Sequence, residues 1–112
     1  MKQNYSYRNY PYIGKAMKAH NNITTGTKFT LMDFNILCFV KSFHDAGQKF
    51  YINNEQLANS LVSCEKTVRN SINRLCKFGF LEKKQMNNST FHGRYLIYND
   101  QAVNKFIEKA DK

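Results

Sequence analysis

The chain has 112 residues, enough for one domain with a modest core. Seventeen basic residues oppose eight acidic ones, a net +9 with a pI near 9.6, which suits an anionic partner. No run approaches the ~20 apolar residues of a membrane span, and the first thirty residues lack the apolar core of a secretion signal.

The expected compartment is therefore the cytoplasm. Cysteine usage agrees, because Cys38, Cys64 and Cys76 are odd in number and lack the paired spacing of a disulfide framework or a zinc site. His20, His44 and His92 are scattered, without metal-ligand spacing. There is no phosphate-cradling glycine loop, nucleophile elbow or carboxylate pair. Neither catalytic residues nor a metal or cofactor is expected, so an enzyme is not the reading.

Residues 1–29 form a Tyr-rich basic stretch. Tyr5, Tyr7, Tyr10 and Tyr12 fall within eight residues, with Arg8 among them and Lys15 and Lys18 following. Two roles stay open. The stretch is a strand or arm that packs on the core or reaches across a dimer, or it is an arm whose Tyr7, Arg8 and Tyr10 stack on unpaired bases along a charged backbone.

Residues 30–44 predict a helix, with Thr30 as N-cap and Asp33 at its third position. Met32, Ile36, Phe39, Val40 and Phe43 form its main apolar stripe, while Leu31, Phe34 and Cys38 lie on the opposite side. A helix apolar on both sides must be covered on both. The second cover comes from the N-terminal segment, from a C-terminal helix or from a second subunit.

A short strand, KFYI at 49–52, precedes two closely spaced helices. Asn53 with Gln56 makes a reciprocal cap for the first, and Leu57, Ala58 and Leu61 are its apolar face. Ser63 is the expected cap of the second, which runs from Cys64 to Phe78 and stops at Gly79, a residue suited to a left-handed terminal position. Val68, Ile72, Leu75 and Cys76 give its inward stripe; Lys66, Asn70, Asn73, Arg74 and Lys77 are assigned outward. That outer face has no acid to pair with its Lys and Arg, whereas a merely soluble helix mixes signs at i, i+4. Glu65 is the sole acid, near the helix start, where it opposes the positive end of the dipole. Asparagine pairs with adenine edges, and Lys and Arg reach guanine or phosphate. The layout is that of a helix-turn-helix.

After Gly79, FLEKKQ, MNNSTFHG and RYLIY read as strand, loop and returning strand. Phe91 and His92 sit at the expected loop tip, where a bulky ring has little core to join. Folding back as an anchor, inserting between base steps and stacking on an exposed base all remain open. Asp100 to Ala110 is an amphipathic helix with Ala102, Val103, Phe106, Ile107 and Ala110 on one stripe. It packs on the core or at a dimer interface. The fold class is mainly α with a small β-hairpin, divided as an arm (1–29), a central domain (30–98) and a C-terminal helix (99–112).

In this order of elements, residues 30–98 resemble the winged helix-turn-helix family. FYINNEQLANSLVSCEKTVRNSINRLCKFGFLEK is similar to the winged helices of bacterial phage and plasmid replication initiators and regulators. The resemblance implies that helix 64–78 enters a major groove while the wing touches backbone or minor groove. By position Ser63, Lys66, Thr67, Arg69, Asn70 and Asn73 inherit base reading, and Lys83, Lys84 and Arg94 inherit phosphate contact. It also implies a role in replication or its control on a mobile element, beside a helicase or polymerase. The partner is DNA, duplex on the strength of the fold or single-stranded on the strength of the aromatics. Two alternatives are a winged-helix adaptor whose basic face meets an acidic protein, and a transcriptional regulator.

Overall fold

A computed structural model describes residues 10–87 and 92–110. Five helices and one hairpin follow in the order α1 (Pro11–Ile23), α2 (Leu31–Asp45), α3 (Asn54–Ser60), α4 (Glu65–Lys77), β1 (Leu81–Asn87), β2 (His92–Tyr98) and α5 (Asp100–Ala110). The result is a winged helix of the α+β class.

The first helix is a departure from the strand or arm expected for this stretch. Pro11 occupies a first-turn position where its missing N–H costs nothing. Ile13, Ala16, Met17 and His20, spaced i, i+3, i+4 and i+7, form its buried face. Tyr10, at the N-cap, is 8 % exposed and donates its hydroxyl to Asp45 Oδ2 at 3.0 Å. Of the two roles left open for this stretch, Tyr10 therefore takes the packing one, and its assignment to base stacking is corrected. Tyr7 and Arg8 lie outside the described residues.

The central helix α2 begins as its sequence dictates. Thr30 Oγ1 accepts from Asp33 N at 3.3 Å and Asp33 Oδ2 accepts from Thr30 N at 2.9 Å, a reciprocal capping box. Ile36, Leu37, Cys38, Phe39 and Val40 are all buried. Such a helix is surrounded by its own chain: α4 and β2 pack on it from one side and α1 from another, and α1 in turn packs along α5. The covering that left a second subunit open is thus supplied within the chain. Leu31 is the exception on that second face, 74 % exposed.

The two helices after residue 53 are closed by the same backbone device. The Asn53–Gln56 capping box starts α3. At its end Ser63 N bonds to Ala58 O at 2.9 Å with Val62 at φ +53°, and at the end of α4 Phe80 N bonds to Leu75 O at 2.9 Å with Gly79 at φ +85°. Both are Schellman closures, in which one residue takes the left-handed conformation so that orphan carbonyls find donors. Only one uses glycine.

The hairpin pairs Leu81 with Tyr98, Lys83 with Leu96, Lys84 with Tyr95 and Gln85 with Arg94. The strand expected at 49–52 reduces to a single bridge, Leu96 N donating to Phe50 O at 3.1 Å. Asn99 then caps α5 by accepting from Ala102 N at 3.1 Å. At the far end of the core His20 lies among Phe29, Phe78, Phe80 and Phe106, with ring centroids 4.4 to 6.0 Å away. Its Nδ1 is buried without a hydrogen-bond partner among the described residues.

That histidine makes the fold sensitive to mild acid. Burial holds its pKa below the ordinary 6.5, Asn21 opposes the shift and the Lys28 ammonium adds to it. The unfolded chain takes up this proton first, so stability is intact above about pH 6.5 and falls as pH drops toward the lower folded value. Urea unfolding at pH 7.5, 6.0 and 5.0 checks this. The wild-type chain should weaken across the series, and His20→Phe should weaken measurably less. Parallel pH slopes in the two proteins would contradict the assignment.

Candidate nucleic-acid interface

α4 divides cleanly into two faces. Val68, Ser71, Ile72 and Leu75 are buried, and Lys66, Thr67, Arg69, Asn70, Asn73 and Lys77 are exposed. All six are exposed on one helix; the apolar spacing places Lys66, Asn70, Asn73 and Lys77 there, and the resemblance adds Thr67 and Arg69. None of Lys66, Arg69 and Lys77 has a carboxylate partner among the described residues, and Lys77 lies 5.8 Å from the ring of Phe78. Their charge is available to an anion.

Arg74 is the exception and corrects the outward assignment. Its Nε donates to Asp33 Oδ2 at 2.7 Å and its Nη2 to Asp33 Oδ1 at 3.1 Å. The fork engages both oxygens of a carboxylate that is fully buried. A guanidinium held this way is not free for phosphate. Its sequence position gave no sign of this, because the partner is 41 residues away.

The helix start also differs from expectation. Cys64, not Ser63, is the N-cap, and it makes no side-chain hydrogen bond to the helix amides. Its exposed thiol lies 3.3 Å from Thr67 Oγ1. This bond and the Thr67 amide draw the thiol pKa below its ordinary value. Thr67 is thereby oriented at the first turn of α4.

The wing is tied down toward its tip, at Arg94, which pairs with Gln85. Arg94 is expected to meet phosphate, yet its Nη1 donates to Ile52 O at 2.7 Å and its Nη2 to Asn54 Oδ1 at 2.6 Å. Burial lowers its pKa from the usual arginine value. The guanidinium therefore pins β2 to the start of α3 and corrects the phosphate assignment. Around it opens a cleft of about 420 Å³ lined by Tyr51, Asn53, Asn54, Glu55, Glu65, Gly93 and Arg94. Two carboxylates in that lining make it a poor seat for phosphate.

Lys83 and Lys84 are exposed on β1. As strand neighbours they point to opposite faces, and Lys84 Nζ lies 3.5 Å from Glu82. A single approaching backbone meets them from different sides. Phe91 and the side chain of His92 lie outside the described residues.

A two-helix unit with a free basic second helix and a hairpin behind it defines a winged helix-turn-helix protein. Residues 28–81 match the family model described as a helix-turn-helix domain. The match supports a helix-turn-helix relationship over those residues and DNA as the partner. No curated protein matches the chain at a significant level. No helix among the described residues is long and apolar enough to cross a membrane.

The Asp33–Arg74 contact sets how α4 sits on α2, and removing one partner leaves the other charge buried. Arg74→Met should cost about 3 kcal/mol of unfolding free energy, and Asp33→Asn should cost a similar amount. A double-mutant cycle by urea unfolding checks this. Near-additive losses would show that the two groups do not act as a pair.

Proposed function

We propose that this chain is a non-catalytic, sequence-reading DNA-binding protein that docks α4 in the major groove of a duplex. The supporting observation is the cation-rich outer face of α4, where Lys66, Arg69 and Lys77 flank Asn70 and Asn73 and Glu65 in the first turn is the sole acid. Asparagine forms paired hydrogen bonds with adenine, and the cations contribute the salt-sensitive phosphate term. Lys83 and Lys84 extend that term along the wing.

Duplex is preferred to single-stranded DNA for a physical reason. The single-strand reading leaned on a tyrosine arm together with Phe91 and His92 at the wing tip, and of the arm Tyr10 is bonded to Asp45 inside the fold. The resemblance to phage and plasmid initiators supports a cytoplasmic role in replication or its control on a mobile element, beside a helicase or polymerase. A transcriptional regulator would use the same surface.

Binding to labelled duplex and single-stranded oligonucleotides across a salt series tests the reading. Duplex affinity should fall by about 0.9 log units per log unit of salt for each phosphate neutralised. Asn70→Ala with Asn73→Ala should flatten the preference among sequences, and Lys66→Ala with Lys77→Ala should weaken every sequence alike. Tighter binding to single strands, or unchanged duplex binding in both double variants, rejects groove docking. Salt-insensitive capture of an acidic protein would favour the adaptor.

A further inference from the structure

The turn between α3 and α4 contains a residue that the fold alone does not explain. Val62 adopts φ +53° and is 94 % exposed. A left-handed conformation brings the Cβ of any L-residue against its own backbone, and a β-branched side chain is among the worst placed to take it. Glycine has no such penalty, and this chain uses it: Gly79 occupies the equivalent position in the Schellman closure of α4 at φ +85°. The two closures have the same hydrogen bonds and different residues.

Strain at one position persists only when something offsets it. Among the described residues the offset is the pair of closing hydrogen bonds, Ser63 N to Ala58 O and Val62 N to Asn59 O, which involve backbone alone and give no reason for a β-branched side chain. The hydrophobic partner that often accompanies this closure would come from the following residue, which is the polar Ser63. Two methyl groups stand in solvent, two residues before the N-cap of the helix that presents Lys66, Thr67 and Asn70. Successive Cα atoms are about 3.8 Å apart, so Val62 lies within about 8 Å of the N-cap Cα. Wherever the start of α4 goes, Val62 goes with it.

The wall of a major groove offers one apolar group to such a side chain, the 5-methyl of thymine. We propose that Val62 is a specificity-determining residue whose methyl groups pack against a thymine methyl beside the bases read by α4. This rests on the duplex reading above. The side chain has no polar atom for phosphate or a base edge, so thymine is distinguished by shape and apolar contact alone. The left-handed turn holds those methyls out in solvent.

Two substitutions separate the contact from the strain. Val62→Gly relieves the backbone and removes the methyls; Val62→Asn tolerates the left-handed conformation and replaces them with an amide. Both should raise the melting temperature, the glycine variant by about 5 °C for a domain of this size. Binding is measured on a duplex that the wild-type chain enriches from a random-sequence pool, and on copies in which each thymine in turn is replaced by uracil, which lacks only the methyl. One replacement should weaken wild type about fourfold, the effect of losing one buried apolar carbon. Both variants should bind the parent duplex with that same loss and be indifferent to that replacement.

A variant that melts higher yet keeps full affinity and full thymine sensitivity overturns the proposal. So does Val62→Gly melting no higher than wild type, since the strain would then be absent. A wild-type chain that enriches a duplex but tolerates uracil everywhere rejects the thymine contact and leaves the duplex reading standing. Failure to enrich any duplex rejects the duplex reading itself, and this proposal with it.

Discussion

A fully buried carboxylate is the constraint around which this domain is arranged. Asp33 cannot remain charged in the core without donors directed at it, and the chain supplies them from two elements. Thr30 N reaches Oδ2 from the start of α2, while the Arg74 fork reaches both oxygens from the third turn of α4. One side chain therefore both begins a helix and fixes the rotation of another about its axis. With Arg74 turned inward, Lys66, Arg69, Asn70, Asn73 and Lys77 are left as the outward set. The outward face of α4 is in this sense determined by a group buried beneath it.

A second layer holds the domain from behind. α1 and α5 lie along each other, and His20 and Phe106 reach from them into the rings of Phe29, Phe78 and Phe80. Phe78 and Phe80 flank Gly79, so the closure of α4 and the turn into β1 are packed by helices outside the two-helix unit. At the other end Tyr10, Lys41 and Asp45 join α1 to α2, and His44 Nε2 lies 3.1 Å from Asp100 at the start of α5. The wing is joined more lightly, through the Phe50–Leu96 bridge and Arg94.

How much of this the sequence disclosed depended on the range of the interaction. Local rules located α2, α3, α4, the hairpin and α5, because capping boxes, Gly79 and apolar spacing act within a few residues. The α1 helix was readable in principle: Pro11 opens it and Ile13, Ala16, Met17 and His20 keep helical spacing. Alternating tyrosines drew attention to a different pattern, and the stripe contains an alanine and a histidine in place of larger apolar residues. Arg74 and Arg94 were misread for another reason. Both are cations on elements that face DNA in the family, but their partners, Asp33 and the Ile52 carbonyl with Asn54, lie about forty residues away and become neighbours only on folding. Ser63 was placed one residue early as a cap because Cys64 lacks the oxygen that normally marks that position.

The ring cluster around His20 has a consequence for where this domain can be cut. The segment that matches the helix-turn-helix family ends at Leu81 and starts at Lys28, so it contains Phe29, Phe78 and Phe80 but neither α1 nor α5. Excised at those limits, it would carry three aromatic rings with their covers removed, a sticky surface next to the end of α4. A boundary drawn by likeness and a boundary drawn by burial are different lines in this chain. The smallest piece that can keep its own rings dry begins before α1 and ends after α5.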